Sequence, residues 1–454
     1  MLLVRKITTN QRCVLLALVL IYTNLNAQEN SPFSRFGLGN LTNTQHIINK
    51  AMGGISVAYA DAQSINFSNP ASYANNRLVT YDLGVIIDNR TLRSKTPVNK
   101  YNSANFSPAY LSIGMPLDAK KRLGLAFGFT PVSRINYSTV RSERLPGIDS
   151  IQTLFEGSGG LNEAFVGIGK RWKGLSVGFN TGYRFGKREA ATKRALINDT
   201  IAYYKSNKNT TTSFGGVFLT TGIQYEALLK TDTSKRKTKG SIDKYYLRLG
   251  ATAQLGQTLN AEQRYLKETF DFDFSGGTFT IDSIESASNF KGKIIIPATY
   301  TAGFMVQKMS FDQLAAYDLW GFGVEYTTAN WSTYKFYNQP DATVNSWQLR
   351  VGGQFTPNPR NVKNYLSRVN YRLGYNMGQD YINADGNKLK TYSITLGMGL
   401  PVRQQRYSYQ FTTIHTALEI GRRGSGVNNI TENFFKLSVG LCLSDLWFIK
   451  PKYD

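Results

Sequence analysis

The chain has 454 residues, with 53 Lys and Arg against 30 Asp and Glu, a net charge of +23 and a mean hydropathy of −0.30. Beyond its N-terminus no run of about 18 residues is apolar and free of charge, which excludes membrane-spanning helices. Strands that cross a bilayer need only about ten alternating residues and escape any hydropathy average. The basic excess is scattered rather than gathered in one arm or helix, which argues against a nucleic-acid partner.

Residues 1–27 read as a signal peptide. Arg5, Lys6 and Arg12 precede the apolar run Val14–Ile21, and Asn26-Ala27 supplies a small residue for cleavage before Gln28. The run is about eight residues, too short to span a membrane. Cys13 lies ahead of it and so cannot be a lipidated cysteine. Cys442 is then the one cysteine of the mature chain, and no intramolecular disulfide can form. For an exported chain, the acidic neighbours that match its charge are lipopolysaccharide phosphates.

Residues 28–76 lack sustained alternation. Gly53-Gly54, Asn69-Pro70 and frequent Ser and Asn predict turns and short helical pieces. Such a segment could lie beneath a barrel as a tether or fold inside it as a plug.

From residue 77 onward the period is two. In Leu175–Gly186 large apolar residues alternate with small or polar ones, and the pattern returns in Tyr245–Gly256, Tyr392–Leu400 and Phe435–Leu443. Each stretch therefore has one greasy and one hydrophilic face. A soluble sandwich alternates too, but its strands run about five or six residues. Here they run about nine to twelve, the length of a tilted membrane crossing, and Arg184, Arg248 and Lys436 fall on the hydrophilic face, as suits a wet lumen. The 27 Tyr, 26 Phe and 5 Trp are numerous enough for girdles at both interfaces.

The expected fold is all-β, a transmembrane antiparallel β-barrel of about fourteen strands. The strands begin near Leu78, Ala104, Leu123, Leu161, Leu175, Thr211, Tyr245, Lys293, Leu319, Ser346, Leu366, Lys388, Tyr409 and Glu432. Connections after even strands are short, as in Asp118–Lys121, Lys173-Gly174 and Gln404–Arg406. Those after odd strands are long, as in Arg141–Gly159, Lys187–Asn209 and Gln263–Gly292. Short periplasmic turns and long external loops give this parity when both termini are periplasmic. Lys230–Asp243 is long for a turn and Asn338–Asn345 short for a loop.

Little points to chemistry. His46 and His415 have no nucleophile at a recognisable spacing, and one cysteine with two separated histidines makes no zinc pattern. Gly167–Lys170 lacks the full phosphate-loop spacing and sits on a strand. Cys442 falls on the lumen face as a small residue. No enzyme, metal or cofactor is expected.

Ala51–Ala62, with Gly53 and Gly54, followed by Asn66–Ala71, with Asn69, Pro70 and Ala71, resembles the hatch signature of the FadL/TodX family. Ile296–Gly303 and Gly321–Ser332 resemble two of that family's later strands. The ending, Glu432–Lys436 and then Trp447–Lys450, resembles FadL-type barrels of the Bacteroidetes. The resemblance implies a leader (1–27), a hatch (28–76) and a fourteen-stranded barrel (77–454) in the outer membrane of a Gram-negative cell. It implies passive uptake of hydrophobic compounds such as long-chain fatty acids, with lateral exit where the third strand is kinked. Pro131, which has no N–H for a ladder, marks that kink or merely an end of pairing. The alternative is a FadL-like barrel that serves as a partner in protein secretion or surface assembly, with a secretion-system protein bound to its long loops.

Overall fold

In the computed structural model, which describes residues 30–42, 44–144, 150–197, 203–234, 240–273, 277–312, 316–361, 363–383, 386–402 and 410–447, one antiparallel sheet curls until its last strand meets its first. The leader expected over residues 1–27 lies outside the described residues. Fourteen strands make the wall. The first six are β1 (Val79–Lys95), β2 (Val98–Asp118), β3 (Leu123–Arg144), β4 (Ser150–Trp172), β5 (Leu175–Ile197) and β6 (Lys205–Asp232). β7 runs Ile242–Gln254 and resumes as Gln257–Phe272, and β8 runs Thr278–Ile296 and resumes as Thr299–Phe311. The rest are β9 (Ala316–Ala329), β10 (Ser346–Phe355), β11 (Asn370–Gln379), β12 (Lys390–Pro401), β13 (Phe411–Arg423) and β14 (Ile430–Asp445). β14 closes onto β1 in unbroken register, from Ile430↔Ser94 to Asp445↔Val79.

Closure is what the bilayer demands. With no water in the hydrocarbon layer, every backbone N–H and C=O must find a partner within the sheet. Outward side chains are correspondingly apolar: Leu83, Phe179, Phe322, Leu396 and Phe435 are all exposed. Exposed aromatics bound this band, with Trp172, Tyr225 and Trp447 at the end of the short turns and Tyr183, Tyr326 and Tyr392 at the other.

One seam is incomplete. β2 and β3 pair only from Asp118↔Leu123 to Leu111↔Phe129, although both strands continue. Just past the last pair the β3–β4 register slips, Pro131 facing Asn162 and Ser133 facing Leu161. The free side of β3 is then taken in part by the N-terminal segment, whose Asn40 and Leu41 pair with Arg134 and Ser133.

The long connections differ from expectation. Arg141–Gly159, Lys187–Asn209 and Gln263–Gly292 are largely strand, paired nearly to their tips. Above the membrane both faces of the sheet meet water, so the greasy-to-polar contrast disappears while the ladder persists. Strands of 23 and 28 residues, as in β5 and β6, therefore stand well beyond the bilayer, against 10 in β10 and β11. Leu366 also differs, since Leu366–Arg368 is a turn of 3-10 helix and β11 starts at Asn370.

Candidate functional site

Residues 30–42 and 44–77 run inside the cylinder and touch its wall on all sides. The segment holds a 3-10 turn (Pro32–Arg35), the two-residue strand Asn40–Leu41, a helix α1 (Ile47–Ala51) and a second 3-10 helix (Pro70–Asn75). His46 caps α1, its Nδ1 accepting from the Ile48 N–H at 3.1 Å. The helix ends at Gly53 and Gly54, whose φ values of 72° and 93° are open to glycine at little cost. Asn69 caps the second 3-10 helix by accepting from the Ala71 N–H at 3.1 Å.

The motif residues occupy two different seats on the wall. Gly53 lies against β10, β11 and β12 and donates its N–H to Thr395 Oγ1 at 2.8 Å. Asn69, Pro70 and Ala71 lie against β4, β5 and β6. Inward glycines make both seats: a Cβ at Gly374 would stand 2.0 Å from the Gly53 nitrogen, and one at Gly222 would stand 2.0 Å from Asn69 Oδ1. The two seats are joined through the segment itself, because Asn69 Nδ2 donates to the Val57 carbonyl at 2.6 Å. Pro131 lies apart from both, where Thr42 N–H donates to the neighbouring Val132 carbonyl at 2.9 Å.

Charges hold the segment in place. Glu325 of β9 is fully buried; it accepts the N–H groups of Ser56 and Val57, each at 2.6 Å, and pairs with Arg350 at 2.6 Å. Glu226 pairs with both Arg171 and Arg248 at 2.6 Å, and Arg248 also donates to the Ala60 carbonyl at 2.9 Å. Arg184 pairs with Glu163 at 2.6 Å. Buried His46 approaches Asp82 at 3.1 Å and lies 5.8 Å from the ring of His415, and Cys442 donates to the Gln63 carbonyl at 2.8 Å. The sequence marked Arg184, Arg248 and Lys436 as inward but not their carboxylate partners; Glu325 inside the apolar stretch Gly321–Thr328 was the available signal. Among the described residues no group of His, Cys, Asp and Glu could hold a metal ion.

Among the described residues, the two larger spaces beside the segment lie at opposite ends of it. The outer one, about 250 Å³, has a mixed lining, with Glu163, Asn180, Arg184, Glu325 and Arg350 beside Phe67, Phe165, Trp331 and Trp347. Above it, Trp331 and Tyr381 (ring centroids 4.3 Å apart) pack with Phe33 and Leu38 in an apolar cluster beneath the outer mouth. The inner space, about 740 Å³, lies at the end of the short turns.

A family model described as BamG matches residues 8–454. The chain belongs to the BamG family. No curated protein matches it. The fold of this BamG-family barrel is similar to the P. putida toluene transporter TodX, at TM-score 0.56 and 14% identity over 89% of this chain and 99% of that one. It is also similar to the Ralstonia pickettii toluene transporter TbuX, at 0.52 and 12% over 88% and 98%. A Pseudomonas aeruginosa FadL homologue matches at 0.50 and 12% over 90% and 98%. The BamG-family chain thus has the fold of FadL-type outer-membrane barrels, and its periplasmic face is the one with the short turns and both barrel ends.

Replacing Glu325 by Ala leaves Arg350 as an uncompensated buried charge and two segment N–H groups without an acceptor, a change that costs on the order of 3–5 kcal/mol. The expected outcome is a folded barrel with residues 44–62 newly open to protease, measured on the purified chain in detergent. Lys50 on α1 adds a pH dependence: burial, then Lys436 beside it, lowers it to about 7. Unfolded Lys50 keeps its proton up to about 10.4, so between these values the released segment binds more protons than the docked one. Docking therefore strengthens as pH rises through this window and is flat below it. Hydrogen exchange over residues 47–57 at pH 7 and 9.5 should show that gain, and Lys50→Met should abolish it.

Proposed function

We propose that this barrel serves as a partner in protein secretion or surface assembly at the outer membrane, with its interior closed. The observation that carries this reading is the chemistry of the lumen. A channel for hydrophobic compounds gains its binding energy from apolar surface, about 25 cal/mol per Å². Pockets for such ligands have about 300–1,000 Å³ and mostly apolar walls. The outer space here is about 250 Å³, below that range, and its wall mixes aromatic rings with threonines, amides and ion pairs. Residues 28–76 then act as a permanent plug rather than a moving hatch. The β-sheet standing above the membrane over β3 to β8 gives a partner a broad, rigid platform. The leader over 1–27 and the Bacteroidetes type of barrel belong to the same reading. Cross-linking in native outer membranes followed by purification of the full chain should retain a stoichiometric protein partner. Trimming the β7–β8 hairpin at residues 265–287 should release it; recovery of the barrel alone from the untrimmed strain would sink the reading.

A second reading has its own observation, the incomplete β2–β3 seam beside Pro131 in a fold like that of toluene transporters. On it, Gly53, Gly54, Asn69, Pro70 and Ala71 form a hatch, and long-chain fatty acids or similar compounds leave sideways past Pro131. Liposomes carrying the purified barrel should then take up labelled fatty acid, and Pro131→Ala should slow uptake without reducing assembly. Absence of uptake by the native chain removes this reading.

A further inference from the structure

The inner space carries a charge imbalance that neither the barrel nor the plug uses. Six arginines line it, Arg77, Arg122, Arg171, Arg248, Arg368 and Arg372, against the three carboxylates of Asp61, Glu226 and Asp318. Glu226 is taken by Arg171 and Arg248 together. Asp61 accepts within its own turn, from the Gln63 N–H at 3.2 Å and Ser64 Oγ at 3.0 Å. Asp318 accepts from Gln354 Nε2 at 3.3 Å.

Among the described residues, Arg77, Arg122, Arg368 and Arg372 therefore have no carboxylate within ion-pair distance. Arg372 is the most telling: it is 5% exposed, and its guanidinium reaches only Gln354 Oε1 and His415 Nδ1, each at 3.4 Å. Arg368 stacks over Tyr365 with its Nε unpartnered. Arg77 donates to the Ala119 carbonyl at 3.1 Å, and burial followed by the nearness of Arg122 and Arg171 pulls it below the usual guanidinium range. Like charges gathered on a low-dielectric wall focus a positive potential into the cavity. Guanidinium forks match carboxylates in paired hydrogen bonds.

We propose that this periplasm-facing cavity is a docking site for an extended acidic segment of a partner protein. The inference rests on the partner role proposed above and specifies one place where a partner is held. The unpaired arginines come from the approach to β1, the β2–β3 turn, the β10–β11 connection and β11 itself, on separate parts of the rim. One phosphate engages two or three neighbouring guanidiniums, whereas a run of carboxylates along a peptide reaches all four. The space of about 740 Å³ is roomy enough for several side chains of such a peptide.

The test uses the full chain in detergent and a fluorescent hexaglutamate peptide, read by anisotropy. Saturable binding is expected, falling steeply as salt rises from 50 to about 300 mM through screening. Arg77→Gln, Arg122→Gln and Arg368→Gln combined should weaken binding at least about tenfold, since each removes a charge-assisted contact to the peptide. Removing three charges from the opposite face, by Lys187→Gln, Arg194→Gln and Lys208→Gln, should leave it unchanged. Equal loss in both triple variants, or no saturable binding to the native chain, overturns the site. Displacement by equimolar inorganic pyrophosphate overturns the peptide in favour of a small phosphate ligand. A chain that keeps its cross-linked partner but binds no peptide overturns this assignment alone.

Discussion

The structure depends on one constraint: a backbone in hydrocarbon must satisfy all its hydrogen bonds within itself. That requirement closes the sheet, sets the outward face apolar and leaves the inward face free to be polar. It also explains where the wall can be imperfect. The β2–β3 ladder ends at Leu111↔Phe129, some eight residues into strands that continue much further. There the exposed edge of β3 is partly repaired by Asn40–Leu41, and Arg134 Nη2 donates across the seam to the Pro108 carbonyl at 3.1 Å. The defect is tolerated because other groups stand in for the missing ladder.

The lumen inverts the usual arrangement of a core. Its apolar contacts form one larger cluster beneath the outer mouth, around Trp331 and Tyr381, and smaller ones such as Ile48, Met52, Val57 and Met305, with charged groups between them. Buried ion pairs contribute little net stability when compared with apolar packing, but they are strongly selective for one arrangement, because moving either partner strands the other. Glu325 shows the point, since Arg350 and two segment N–H groups all converge on one carboxylate. Register of the plug against the wall is thereby fixed more sharply than a greasy contact would fix it, and inward glycines at Gly178, Gly250 and Gly374 allow backbone to meet backbone.

Period-two alternation carried the fold, because the membrane zone imposes opposite solvents on the two faces of each strand. It located the strands from Leu123 and Leu175 and the inward placement of Arg184, Arg248, Lys436 and Cys442. It failed above the membrane, where residues 205–209 of β6 are all polar and carry no contrast, so strand was read as loop. The plug's position was not legible either. Gly53 and Asn69 announce turns, but their partners Thr395, Val351 and Gly222 are far along the chain and carry no local mark. The arginines of the inner space were invisible as a group for the same reason: they assemble only when the ends of several hairpins are brought to one rim.

The same polarity that fixes the plug bears on what the barrel can carry. A fold shared with toluene transporters supplies a cylinder, a segment inside it and a seam; it does not supply an apolar path. For a hydrophobic solute to pass here it would have to displace N–H groups from Glu325, separate Glu163 from Arg184 or cross a space already lined by amides, and each step exposes a buried charge. Those costs add along the route, while the apolar gain available in about 250 Å³ of space with a mixed wall is small. On the partner role proposed above no such barrier arises, because a protein would engage the rims. The outer rim offers paired strands, and the inner rim offers guanidiniums still lacking carboxylates. At the seam beside Pro131 the segment's own short strand enters the sheet, Asn40 pairing with Arg134 and Leu41 with Ser133.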